Sequence, residues 1–239
     1  MQKDAENSAP IIFDDDEMRT AVKGAVDAVR STIGMPEHLK RVKYLRYLLT
    51  DGEDPPFGLL RQLEVVKLFI DELKSEEKEI RAEAMWALAF LADGDLASSQ
   101  QLLTQAGMFV PFLTGTAGFD IAELAAWIFR SLASAMTSES QMANVDIATP
   151  LVQLIFACVT QMHDEHIVDA SMTAAWALCS VISHSPSARK QLLAIPHFSA
   201  QLSSLLSMKN VRILTEATWL ITYLVASDDA HLTSLIQAN

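Results

Sequence analysis

Glu83-Ala84-Met85-Trp86-Ala87-Leu88-Ala89 decides the fold, because the phrase comes back three times. It returns as Glu123-Leu-Ala-Ala-Trp127-Ile-Phe, Thr173-Ala-Ala-Trp176-Ala-Leu-Cys and Glu216-Ala-Thr-Trp219-Leu-Ile-Thr, so the four tryptophans stand 41, 49 and 43 residues apart. Small residues before each Trp and apolar ones after it predict a helix buried on nearly all sides and packed closely on its neighbours. The last of these is read over Leu214 to Val225. Upstream of each lies another apolar run, at Leu63–Leu73, Met108–Leu113, Leu151–Val159 and Phe198–Leu206, read as a second helix of the unit. Polar turns such as Ser75-Glu-Glu-Lys78 and Ser207-Met-Lys-Asn210 divide the two. An apolar pair also follows three of the tryptophans at a fixed distance, as Leu102-Leu103, Leu192-Leu193 and Leu235-Ile236. The third repeat is the longest because the polar stretch from Gln161 to Asp169 inserts between its helices. No strand-like alternation recurs, so the class is all-α. A repeat of this period, with two main helices that cover each other only through their neighbours, is an α-solenoid.

Composition agrees and narrows the function. The chain has 239 residues, 18 Lys and Arg against 30 Asp and Glu, a net charge of −12, and half its residues apolar. That much apolar surface excludes a disordered chain. The negative balance argues against nucleic acid and anionic membrane, whose phosphates need clustered cations, and favours a basic protein partner. The longest strongly apolar run, from Ile147 to Met162, is too short to span a bilayer and is interrupted by Pro150 and Gln153. Two cysteines, Cys158 and Cys179, lie in apolar helices as small hydrophobes and are too few for a disulfide framework. With no signal-like or transit-like N-terminus, the expectation is a reduced protein of the cytoplasm or nucleus.

The repeat phrases resemble the armadillo family, and more closely its importin-α branch, from about Lys40 to Asn239. The stretch Tyr44-Leu-Arg-Tyr-Leu-Leu-Thr-Asp-Gly-Glu-Asp-Pro-Pro56 looks like the end of the first importin-α repeat. Val65-Val-Lys-Leu-Phe69 and Glu83 to Gly94 are similar to the following repeat's second and third helices, and Gly107-Met-Phe-Val-Pro111 stands where that branch carries Gly-Ala-Val-Pro. The resemblance implies an armadillo-type right-handed superhelix of about four to five repeats over residues 36–239. Before it, residues 1–35 form an acidic segment, with Phe13-Asp-Asp-Asp-Glu17 and a short amphipathic helix from Met18 to Ile33. Import adaptors of this branch begin instead with an Arg/Lys-rich segment that binds the importin-β carrier. The basic residues here, Lys40, Arg41, Lys43 and Arg46, read as the solvated face of the first repeat's helix.

In importin-α proteins each binding repeat carries Trp and, four residues on, Asn. The Trp rings clasp the stems of a peptide's Lys or Arg, and Asn holds its backbone; stem packing and cation–π contact suit a basic peptide. Here the four Trps remain, but the fourth residue on is Phe90, Ser131, Ser180 or Tyr223. Two readings of the Trps stay open: core residues of their helices, or the lining of a groove for another partner segment. Glu83 and Glu216, three residues before their Trps, share that helix face and are placed to pair with basic groups; Glu123 is one residue out of register, and Thr173 replaces the acid in the third repeat. Enzyme motifs for phosphate loops, dinucleotides, serine nucleophiles and zinc helices are absent. His163-Asp-Glu-His166 lacks a second ligand cluster and reads as a solvated loop. No cofactor or metal is therefore expected. The leading expectation is a non-enzymatic scaffold that binds a protein partner, with an extended or basic segment, through a Trp-lined concave face. The alternative is a divergent import adaptor for basic nuclear localisation signals. At the C-terminal end, Leu235 and Ile236 are expected to leave an apolar flank, covered by a second copy end to end or by a partner protein.

Overall fold

The computed structural model describes residues 15–31, 34–50, 55–138, 141–142, 145–161 and 163–226. These residues are helices and connecting turns, with no strand among them. Leu235 and Ile236 lie outside the described residues, as do residues 1–14 of the acidic start of the chain. The chain divides into two compact units, residues 1–90 and 91–239.

The first unit contains α1 (Asp15–Arg30), α2 (Met35–Thr50), α3 (Phe57–Gln62), α4 (Val65–Glu72) and most of α5 (Lys78–Gly94). The amphipathic stretch near the start becomes α1, which packs on α2 and buries Val22, Ala25, Val26 and Val29 at helical spacing. Arg41 ties the pair together by donating to the Ala28 carbonyl at 2.7 Å and to Ser31 Oγ at 2.6 Å. The apolar run from Leu63 to Leu73 is shorter as a helix than its composition predicts. Glu64 adopts a left-handed conformation, φ 51°, and breaks the chain direction between α3 and α4. His197 does the same before α11 in the second unit, φ 62°, so the kink recurs at the entry to a repeat's second helix.

The second unit adds α6 (Leu96–Leu103), α7 (Phe119–Ala135), α8 (Ala148–Thr160), α9 (Glu165–His184), α10 (Pro186–Ala194), α11 (Phe198–Leu206) and α12 (Val211–Val225). Polar caps set the starts. Asp95 accepts from the Ser98 N–H, Asp164 from His166, Ser185 from Ala188 with Pro186 in the first turn, and Asn210 from Arg212 and Ile213. The apolar pairs Leu102-Leu103 and Leu192-Leu193 belong to α6 and α10, so these units carry a short first helix as well as the two longer ones. The run Met108–Leu113 is not an α-helix. It forms two 3-10 turns, Ala106–Met108 and Val110–Thr114, because Pro111 has no N–H to give and Gly115, φ 73°, ends the second turn. A Cβ at Gly115 would meet the Phe119 ring at 3.1 Å, so the turn is closed against α7.

Small residues govern the packing. α9 packs between α7 and α12, and Ala122, Ala125 and Ala126 of α7 and Ala170, Ala174 and Ala177 of α9 are buried, which lets the backbones approach. Ile121, Phe129, Leu132, Leu151 and Leu178 fill the core, with Phe109 edge-on to Phe129 at 6.5 Å. Ser171 Oγ lies 2.8 Å from the Leu154 carbonyl and 2.7 Å from that of Ile167, joining α8 to α9. α9 has the length and apolar composition of a membrane span, but 61% of that window is buried inside the protein, as expected of a central core helix.

Candidate functional site

The Trp phrases sit on α5, α7, α9 and α12, one in each. Burying the Ala-rich faces of these helices leaves the indoles at their edge. Trp86, Trp176 and Trp219 are 39%, 50% and 53% exposed, while Trp127 is half-buried. Three of the four are thus surface aromatics rather than core residues.

In the first unit Trp86 belongs to a closed cation site. Arg46 of α2 donates from Nε to Glu83 Oε2 at 2.8 Å, and its guanidinium carbon stands 5.3 Å from the centre of the Trp86 ring. Both charged side chains are largely covered, 23% and 7% exposed. The expectation of a solvated basic face therefore fails for Arg46 and for half-buried Arg41, whose partners come from elsewhere in the fold; Lys40 and Lys43 remain exposed. Phe90, one turn after Trp86, stacks on Phe57 at 6.5 Å.

In the second unit Arg130, one turn after Trp127, stands between two indoles. Its guanidinium carbon is 5.8 Å from the Trp127 ring centre and 5.7 Å from that of Trp176. Asp93 anchors it, accepting from Arg130 Nη2 at 2.9 Å and from Ser131 Oγ at 3.0 Å. Burial works to raise the Asp93 pKa, but the hydrogen bonds from Arg130 and Ser131 and the Arg130 charge outweigh it and hold the carboxyl below its usual value. The Trp127 indole N–H adds a smaller pull from nearby, yet its Nε1 is buried outside hydrogen-bonding geometry.

Next to this pair lies a cleft of about 390 Å³ lined by Arg130, Trp176, Cys179, Ser180, Trp219 and Tyr223. Tyr223 is 40% exposed and tilts against Trp219 at 6.4 Å. On the other side of Arg130 a cleft of about 360 Å³ is walled by Asp93, Ser131, Ser134 and Ser180. Glu216, three residues before Trp219, is 7% exposed, and its Oε2 is buried without a hydrogen bond. Burial raises its pKa, and the Trp176 indole N–H offsets part of that rise. The nearby Glu216 charge also helps push up the Cys179 thiol, which burial chiefly carries to about 12. Glu216 and Glu83 thus hold the same place in the same motif, and among the described residues Glu83 has a cation while Glu216 has none.

Glu123 and Thr173 meet across α7 and α9, the hydroxyl donating at 3.3 Å; burial, then the charge of Asp169, raises the Glu123 pKa. Asp169 in turn accepts from Arg212 Nη2 of α12 at 2.7 Å. The sequence reading misses Asp93 and Arg130. Only the i, i+3 spacing of Arg130 from Trp127 hints at their part.

No family model matches the sequence. The chain is 25% identical over 209 residues to importin subunit alpha-9 of Arabidopsis thaliana, a match that takes in 85% of this chain but spans only 38% of that relative's length. Among solved structures it is similar to a designed armadillo-repeat protein in complex with the peptide (KR)4, at a TM-score of 0.72 and 20% identity, covering 91% of this chain and 87% of that one. A computationally designed armadillo-repeat protein for modular peptide recognition matches at a TM-score of 0.67 and 16% identity, over 87% and 86% of the two chains. The chain has the all-α, armadillo-type α-solenoid fold.

Proposed function

We propose that this chain is a non-enzymatic armadillo-type scaffold that receives an extended segment of a partner protein on the face carrying Trp176, Trp219 and Tyr223, with one cationic side chain of that segment beside Glu216. The comparison of Glu83 with Glu216 carries this reading. The first motif holds a guanidinium by one carboxylate and one indole. The second keeps both residue types at the same spacing with no described cation on the carboxylate, which favours a guanidinium or ammonium from a partner. Glu216 itself lines a small apolar recess with Ile213 and Leu220 beside the aromatic cleft's residues. The net charge of −12 favours such a partner at longer range. Exposed aromatic faces supply contact area for the stem of the incoming side chain.

The likeness to importin subunit alpha-9 supports a second, narrower reading, an intracellular import adaptor for basic localisation signals. Against it stands the missing Asn in all four repeats, at Phe90, Ser131, Ser180 and Tyr223, since each lost backbone anchor costs about 0.5–1.5 kcal/mol. The readings separate with labelled peptides. Fluorescence anisotropy of a Gly/Ser peptide bearing a single Arg should show binding that weakens about tenfold in Trp219→Ala and in Glu216→Gln. Equal affinity in folded variants would reject the cleft, and much tighter binding of an unaltered Lys-rich peptide would favour the adaptor.

A further inference from the structure

Arg130 occupies the position that a ligand's cation would take between two indoles. Its guanidinium carbon is nearly equidistant from Trp127 and Trp176, and Asp93 and Ser131 fix it there from one side. The same side chain is a wall of both neighbouring clefts, one lined by α5, α6, α7 and α9 and the other by α7, α9 and α12. Arg46 repeats the device independently in the first unit, filling the place beside Trp86 with Glu83 as its anchor.

We infer that Arg130 is a specificity-determining residue of this face, an internal occupant of the Trp127–Trp176 slot that refuses a second cationic side chain and restricts recognition to one cation beside Trp219. The inference rests on the proposed binding of a cationic segment and adds which residues set its register. Two effects act together. The guanidinium takes the indole surface that an incoming stem needs, and its fixed charge repels a cation arriving within a few ångströms. A run of alternating Lys and Arg therefore gains no more from this unit than a lone Arg does. Asp93, already satisfied by Arg130 and Ser131, offers that run no second anchor.

The test uses the whole chain with two labelled probes, (Lys-Arg)4 and the Gly/Ser peptide with a single Arg. At high salt, where the long-range attraction of the acidic chain for the eightfold cation is screened, wild type binds both with similar affinity. Arg130→Ala frees the slot and leaves Asp93 held by the Ser131 hydroxyl, so affinity for (Lys-Arg)4 rises about tenfold or more, a larger gain than that of the single-Arg peptide, which can fill one site at a time. Arg130→Lys keeps the slot occupied and leaves both affinities near wild type. Should Arg130→Ala lose helicity, Arg130→Gln, with a neutral side chain of similar length, replaces it and is expected to show the same gain. A folded Arg130→Ala or Arg130→Gln chain that binds (Lys-Arg)4 no better than wild type overturns the inference. The underlying reading fails in a different way. If Trp219→Ala leaves single-Arg binding intact while Arg130→Ala still gains (Lys-Arg)4, the Trp219 cleft is rejected and the internal occupant stands.

Discussion

The same substitution at two equivalent motif positions should change stability in opposite directions. Glu83→Gln removes the charged acceptor of a 2.8 Å bond from Arg46 and leaves a mostly covered guanidinium without its counter-charge. A hydrogen bond to a charged group contributes about 1.5–3 kcal/mol, so the variant should lose that much. For a chain of this size the loss lowers the melting temperature by roughly 3–12 °C. Glu216→Gln instead removes a buried carboxylate whose Oε2 has no partner. Leaving such a group unsatisfied costs about 1–3 kcal/mol, and the amide keeps part of that cost, so the gain is on the order of 1 kcal/mol. The pH dependence fixes the sign. Because burial raises the Glu216 pKa, the folded chain holds this proton more tightly than the unfolded one. Its contribution to stability is therefore greatest below the ordinary value of 4.5 and is lost as pH rises through the folded pKa. The advantage of Glu216→Gln should then be present at neutral pH and vanish at about pH 4. Thermal melts followed by circular dichroism at both pH values decide it. A Glu216→Gln chain that melts below wild type at neutral pH, or a Glu83→Gln chain that melts above it, refutes the claim that only one motif has its cation.

Affinity for the single-Arg peptide should rise with pH through the raised pKa of Glu216, since the cation favours the ionised carboxylate; Glu216→Gln should flatten the profile, and an unchanged slope would assign the dependence elsewhere. Cys179 should resist thiol reagents in the folded chain near neutral pH, because burial and then the Glu216 charge carry its pKa to about 12; rapid labelling of native protein would contradict that environment. Ser171→Ala should destabilise the second unit by about 1–2 kcal/mol in urea unfolding, because the buried hydroxyl links α8 to α9 through the Leu154 and Ile167 carbonyls.

What the sequence discloses follows from what repeats in it. Apolar runs and Trp spacing mark the long helices because each must bury a whole face, and α11 covers Phe198–Leu206 as its run predicts. Helix α12 begins three residues before the reading from Leu214, since Asn210 caps it further upstream. Runs that contain Pro111 or adjoin Glu64 break, because backbone conformation there overrides hydrophobic pattern. The Trp positions of the candidate face are visible for the same reason as the helices. Its electrostatics are not. Arg46 finds Glu83 across 37 residues and Arg130 finds Asp93 across the same separation, and no local pattern announces either meeting. Nor does the sequence distinguish Glu83 from Glu216, since their difference lies in whether another helix supplies an arginine.

The central claim, that the face around Trp219 holds the open cation site while those of Trp86 and Trp127 are filled from within, is tested most directly by the four indole N–H resonances. Their nitrogen-15 correlation spectrum, assigned by Trp→Phe variants, is followed while the single-Arg peptide is added to wild-type protein. The account predicts that the Trp176 and Trp219 signals move with a common saturation curve and that those of Trp86 and Trp127 stay in place. Movement of Trp86 or Trp127 with Trp219 unchanged would contradict it.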